Sequence, residues 1–203
     1  MSHDRGADVY LENRTFDEIA VGDFSILHRV LTREDIKLFA IMSGDVNPAV
    51  VDPEFAESGM FREVVAHGMW SAALISTMLG TEFPGPGTIL IDQSLHFDRP
   101  VTIGDSIAVK VTVKEKYDHN KHMTLDCVCT NQEGLQVVHG HLEVLAPTEK
   151  IRRKAMNLPQ ITISDKEARY QHLLGMAAGL EPIDVAVVHP CDAESLRGPV
   201  MAA

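Results

Sequence analysis

The residues best placed to do chemistry lie in two short runs. The first is Ser43-Gly44-Asp45-Val46-Asn47-Pro48-Ala49-Val50-Val51-Asp52, and the second is Phe61-Arg62-Glu63-Val64-Val65-Ala66-His67-Gly68-Met69. Asp45 stands on a loop punctuated by Gly, Asn and Pro, where a carboxylate either closes an Asx-turn or serves as a base. His67-Gly68 opens a long apolar run. The first N–H groups of a helix lack internal partners and its dipole favours negative charge. Taken singly, the first run is an ordinary turn and the second an ordinary core helix. Their combined spacing is what lifts a functional reading above these.

The two runs resemble the signature of the MaoC-like, (R)-specific enoyl-CoA hydratase family, Gly-Asp-x-Asn-Pro-x-His-x-Asp followed by Ala/Val-His-Gly-Met. The spacing from Asp45 to Gly68 is the family's usual one, and the likeness runs from about Thr15 to Pro147. One fixed position departs from the signature: Val50 stands where the family carries its catalytic histidine. The resemblance implies addition of water to a 2-enoyl thioester, with an Asp and a His flanking one water and a backbone N–H holding the thioester oxygen. Carried over, Asp45 is the carboxylate and Gly68 the oxyanion donor. Asn47 and Pro48 shape the loop, and Ser76 matches a serine placed near the carboxylate. Asn47, His67 and Ser76 are then expected to meet the substrate, a CoA thioester, with no other cofactor and no metal.

Valine neither accepts nor donates a proton, so the two-residue water clamp is broken at Val50. A lone carboxylate, ordinarily titrating near ~4, is a weak base at neutral pH. Loss of one member of such a pair costs on the order of 10²–10⁴-fold. His67 is the histidine best placed to substitute, beside the oxyanion glycine. The competing and favoured reading makes it a helix-opening residue whose ring bonds backbone groups. His139 and His141 share one face of a strand, and with His96 read as a polar or interfacial strand face. No Cys or carboxylate completes a metal set with them at useful spacing. His119 and His122 fall in a polar turn and read as solvated.

The elements that must position these groups are legible from periodicity. Phe24 to Leu31 reads as a strand. Thr32, with Glu34 and Asp35 behind it, caps a helix that should end near Ser43-Gly44. Asp52-Pro53 should open a short helix. From Ala66 to Leu79 the chain is apolar all round, which predicts a central helix, and Pro84-Gly85-Pro86-Gly87 stops it. Four strand-like segments follow: Thr88 to Phe97, Ser106 to Tyr117, Met123 to Asn131 and Gln136 to Leu145, the last two forming a hairpin. An antiparallel sheet wrapped around one helix is an α+β arrangement, and the resemblance identifies it as the hot-dog fold, whose members are typically dimers or higher even-numbered homo-oligomers.

Three domain segments are expected: a hydratase domain over 1–147, a linker over 148–184 containing a helix from Ser164 to Leu174, and 185–203. The last, Val185-Ala186-Val187-Val188-His189-Pro190-Cys191-Asp192 with Ser195-Leu196-Arg197-Gly198, resembles the opening strand and turn of phosphate acetyl/butyryltransferases. The expectation is the N-terminal part of a bifunctional enzyme, with a stub of its second domain.

A net charge of −11 over 203 residues argues against a nucleic-acid surface. The sequence holds no apolar run of ~18 residues, the minimum for a bilayer span, so no membrane partner is expected. The N-terminus lacks a secretory layout, and three cysteines make no disulfide framework. Cys127 and Cys129 read as buried thiols, and the expected location is cytoplasmic. Two functions compete: an enoyl-CoA hydratase impaired by Val50, and a non-catalytic module that binds acyl-CoA and dimerises a phosphate acyltransferase. A thioesterase is a weaker third, since no separate nucleophile pair stands out.

Overall fold

The computed structural model describes residues 9–51, 64–156 and 166–178. The chain divides into two compact units, 1–160 and 161–203. Of the second, the described part is one helix, Lys166–Ala177. The expected stub over 185–203 and the helix expected at Asp52-Pro53 lie outside the described residues.

The first unit is built on strands of clean alternation. In β4 (Ser106–Tyr117), Ile107, Val109, Val111 and Val113 point inward. In β5 (His122–Thr130) the inward residues are Met123, Leu125, Cys127 and Cys129. In β6 (Gln136–Leu145) they include Val138, Leu142 and Val144. Period-2 burial of this kind requires one covered face, and antiparallel pairing supplies the register, with Val111 opposite Cys127 and Cys127 opposite Gly140. β2 (Phe24–Val30) and β3 (Ile89–Phe97) complete a five-stranded sheet in the order β2-β4-β5-β6-β3. At Gly140 the β3 backbone comes so close that an added Cβ would lie 1.9 Å from the Ser94 carbonyl oxygen.

Against the covered face lies α3 (Gly68–Thr77), followed by a π-helical turn over Met78–Glu82. Trp70, Leu74, Ile75, Met78 and Leu79 join the strands' inward residues in one apolar cluster. The expected central helix is present, but it is not buried on every side. Met69, Ala73, Ser76 and Thr77 are exposed, because one five-stranded sheet covers a single face of the helix.

α1 (Arg33–Ser43) begins and ends as its sequence dictates. The Thr32 hydroxyl accepts the Asp35 N–H at 3.1 Å, the Asp35 carboxylate accepts the Thr32 N–H at 2.9 Å, and Gly44 closes the helix at φ 74°. The first unit runs on past Pro147. β7 (Arg152–Lys154) pairs with β1 (Tyr10–Glu12), so part of the expected linker belongs to the first unit. Strands of three residues are too short to show alternation, which hides this pair from a periodicity reading. Among the described residues, no helix is long and apolar enough to cross a membrane.

Candidate active site

The Asp45 loop is wound from its own side chains. Ser43 Oγ donates to the Phe39 carbonyl at 2.7 Å and accepts the Asp45 N–H at 3.2 Å. Asp45 Oδ1 accepts the Asn47 N–H at 3.1 Å, and Asn47 Oδ1 accepts the Ala49 N–H at 3.1 Å. These are successive Asx-turns, the second capping α2, a single helical turn (Pro48–Val51) that opens with Pro at its first position. Asp45 therefore does close a turn, but with one oxygen only. Its side chain is half-exposed, at 51%, and Oδ2 remains for other work.

That second oxygen faces His67. Nε2 of His67 lies 3.6 Å from Asp45 Oδ2 and 3.2 Å from the Asp45 carbonyl oxygen. The ring is buried and packs on Phe39, with centroids 4.9 Å apart and planes tilted by 33°. The Ala66 N–H donates to the Val101 carbonyl at 2.7 Å, and Val65 bridges to Thr102. The loop after α1 and the first turn of α3 are thereby pinned together, which no local pattern in the sequence announces.

His67, Gly68 and Ser71 form one wall of a cleft of about 410 Å³. Phe97 to Val101 face them, with Gly68 against Phe97, and Ala66 and Val138 also line the cleft. Gly68 is the first residue of α3, so its N–H has no acceptor within the helix. An added Cβ at Gly68 would meet Phe97 at 3.8 Å, an ordinary contact. Sterics alone thus leave room for alanine there, and the glycine is not explained by packing.

The wall at Asp98 and Arg99 is fixed to β6. Arg99 donates to the Gln136 carbonyl at 2.7 Å, the Asp98 N–H donates to the Val137 carbonyl at 2.9 Å, and the Asp98 carboxylate meets His139 Nδ1 at 2.7 Å. The hydrogen bonds from His139 and Gln136 hold the Asp98 carboxyl below the usual carboxylate range. His139 also stacks on His96 at 5.1 Å. His141 meets Asp126 at 2.6 Å, so this strand face is polar and internally paired. His122 is not simply solvated: it begins β5 and meets Glu143 at 2.7 Å, because the register of β5 and β6 brings the two strands' outer residues together. Among the described residues, no three His, Cys, Asp or Glu side chains are grouped to hold a metal.

Of the residues singled out in the sequence, Asp45, His67 and Gly68 come together and Asn47 holds their loop. Val50 is 5% exposed and lines a separate small crevice with Arg33, Ile36, Lys37, Val64 and Ile103. Ser76 lies in the last turn of α3 on its exposed face. Ser71, Asp98 and Val138 were not singled out. Ser71 and Asp98 carry no distinguishing neighbours, and Val138 looks like any inward strand residue.

The profile of the family described as MaoC like domain matches residues 23–132. The chain belongs to this family. It is 41% identical over 132 residues to the (R)-specific enoyl-CoA hydratase of Rhodospirillum rubrum, covering 65% of this chain and 91% of that one. It is 40% identical over 135 residues to the 3-hydroxybutyryl-CoA dehydratase of Methylorubrum extorquens, covering 66% and 85%. Among solved structures, the unliganded R-hydratase PhaJ1 of Pseudomonas aeruginosa superposes with a TM-score of 0.75 at 39% identity, covering 77% of this chain and all of that one. The (R)-hydratase of Aeromonas caviae gives 0.62 at 34% identity, covering 64% and 98%. The sheet and helix of this MaoC-like chain are those of the hot-dog fold.

Proposed function

We propose that this chain is a lyase, an (R)-specific 2-enoyl-CoA hydratase that also runs in reverse as a 3-hydroxyacyl-CoA dehydratase, with its rate lowered by Val50. The observation that carries the reading is a half-exposed carboxylate, Asp45, 3.6 Å from Nε2 of His67, whose ring lines the cleft together with Gly68. Similarity to R-hydratases over most of their length supports it.

The chemistry follows from what each group offers. An enoyl thioester laid in the cleft puts its carbonyl oxygen at the Gly68 N–H, where the helix dipole stabilises the enolate as water adds to the β-carbon. Asp45 is the family's base for that water. Val50 offers no second contact, because its side chain is apolar and buried in the crevice beneath α1. A deficit on the order of 10²–10⁴-fold follows from losing one proton-handling partner. Asn47 acts through the loop, and the role carried over to Ser76 belongs to the same proposal.

We also propose a homodimer or higher even-numbered assembly. β3 is an edge strand with Ile89, Leu90, Ile91 and Phe97 exposed, a long apolar edge that isolated chains avoid. A competing reading, a non-catalytic acyl-CoA-binding and dimerisation module, is favoured by the burial of Val50 away from the cleft. Incubation with the two 3-hydroxybutyryl-CoA enantiomers tests the proposal. Consumption of the (R) form alone, with crotonyl-CoA appearing, supports it, whereas binding without turnover of either supports the module.

A further inference from the structure

We infer that His67 is the proton-handling partner of Asp45 in this chain, taking the role that valine at position 50 cannot fill. The inference rests on the hydratase reading, adds a catalytic residue to it, and gives Asp45 in this chain the part of the carboxylate that orients that residue.

The tautomer of His67 follows from its neighbours. A carbonyl oxygen can only accept, so the 3.2 Å contact between Nε2 and the Asp45 carbonyl places the ring proton on Nε2. Nδ1 is then the bare lone pair. It is buried and has no hydrogen-bond partner among the described residues, while the ring it belongs to lines the cleft beside Gly68. Buried polar atoms are almost always paired, so an orphaned acceptor at a cleft wall calls for a donor brought by what occupies the cleft. A histidine serving only to open α3 would need Nε2 and its packing on Phe39, and nothing from Nδ1.

The arrangement is that of a base with an orienting carboxylate. Asp45 Oδ2, 3.6 Å from Nε2, is placed to balance the positive charge that the ring acquires. In the forward step the water oxygen bonds to the β-carbon as its proton passes to Nδ1. The double-bond pair moves onto the thioester oxygen at the Gly68 N–H. The imidazolium then returns a proton from Nδ1 to the α-carbon, and the carbonyl reforms. One water is added, the ring ends neutral, and no oxidant or reductant is consumed. Because one nitrogen serves both transfers, both new bonds form on one face of the double bond.

The test compares His67→Gln in two backgrounds, the chain itself and its Val50→His variant, by hydration of crotonyl-CoA. Glutamine can keep a donor toward the Asp45 carbonyl but supplies no base. In the chain itself, kcat should fall on the order of 10²-fold or more with KM little changed. In the Val50→His background the same change should cost less than about tenfold, since the family signature's histidine, five residues after Asp45, is then restored; turnover by that double variant also shows that glutamine at 67 leaves the fold intact. Equal losses in the two backgrounds, or no loss in the chain itself, would overturn the inference. Turnover only after Val50→His would overturn it too, while leaving the hydratase reading standing. Silence from both backgrounds would bring down the hydratase reading and this inference with it.

Discussion

Replacing Asp45 by asparagine separates the two jobs that the carboxylate performs. Its Oδ1 holds the Asn47 N–H at 3.1 Å, and an amide oxygen accepts the same bond, so the Asx-turn survives. The lost charge sits on a side chain 51% exposed, where water screens its interaction with the His67 ring. Exposed charge pairs contribute 0–1 kcal/mol, so the stability change should stay below about 1 kcal/mol. The catalytic loss should be far larger, on the order of 10²–10⁴-fold in kcat, or roughly 2.7–5.4 kcal/mol of barrier. Thioester absorbance gives the rate and a urea titration gives the stability of the same preparation. A rate within tenfold of the parent would refute the argument. So would a stability loss above about 2 kcal/mol, which would make the loop's integrity the cause of any inactivity.

Three further outcomes are expected. Burial works against the charge on Asp105, but the Thr102 N–H, Gln132 and the Thr102 hydroxyl outweigh it and hold the carboxyl below its ordinary value. A depressed folded pKa stabilises above the unfolded value, near ~4, and the contribution is lost as pH falls further; Asp105→Asn should flatten the acid limb of a stability-versus-pH curve and cost about 1 kcal/mol at neutral pH. Both thiols are buried, and the hydrogen bond with Cys129, followed by burial, pushes the Cys127 thiol up; because burial keeps reagent from both, peptide mapping should find Cys127 and Cys129 unalkylated until urea unfolds the sheet. Light scattering should give an even multiple of the chain mass, and Ile91→Lys on the β3 edge should reduce it; a monomeric parent would contradict the assembly proposal.

Much of the fold could be read before the structure because local signals and tertiary packing agree. Thr32 and Gly44 bound α1 by capping chemistry that needs no distant partner. The long strands β4 to β6 alternate because one face is covered. What escaped was set at a distance. β1 and β7 are three residues each and exist by pairing with each other. The near-continuous apolarity of α3 suggested burial on all sides, whereas the single chain leaves Met69 and Ala73 exposed. In the site, the Asp45–Gly68 spacing pointed to the right neighbourhood. The meeting of Asp45 with His67 depends on the tie between Ala66 and Val101, and the far wall on the β3–β6 register. Neither leaves a trace in local sequence. Val50 was recognisable as the departure from the family signature, but its place in the crevice below α1 is a property of the packed core.

The account stands most directly on whether the site adds water to an enoyl thioester. Crotonyl-CoA hydration should be followed side by side for this chain and its Val50→His variant. The account predicts slow turnover by the chain and a rise on the order of 10²-fold or more in the variant. If neither preparation hydrates crotonyl-CoA while both bind a non-reactive thioester analogue, the cleft is a holder of acyl-CoA and the hydratase conclusion is wrong.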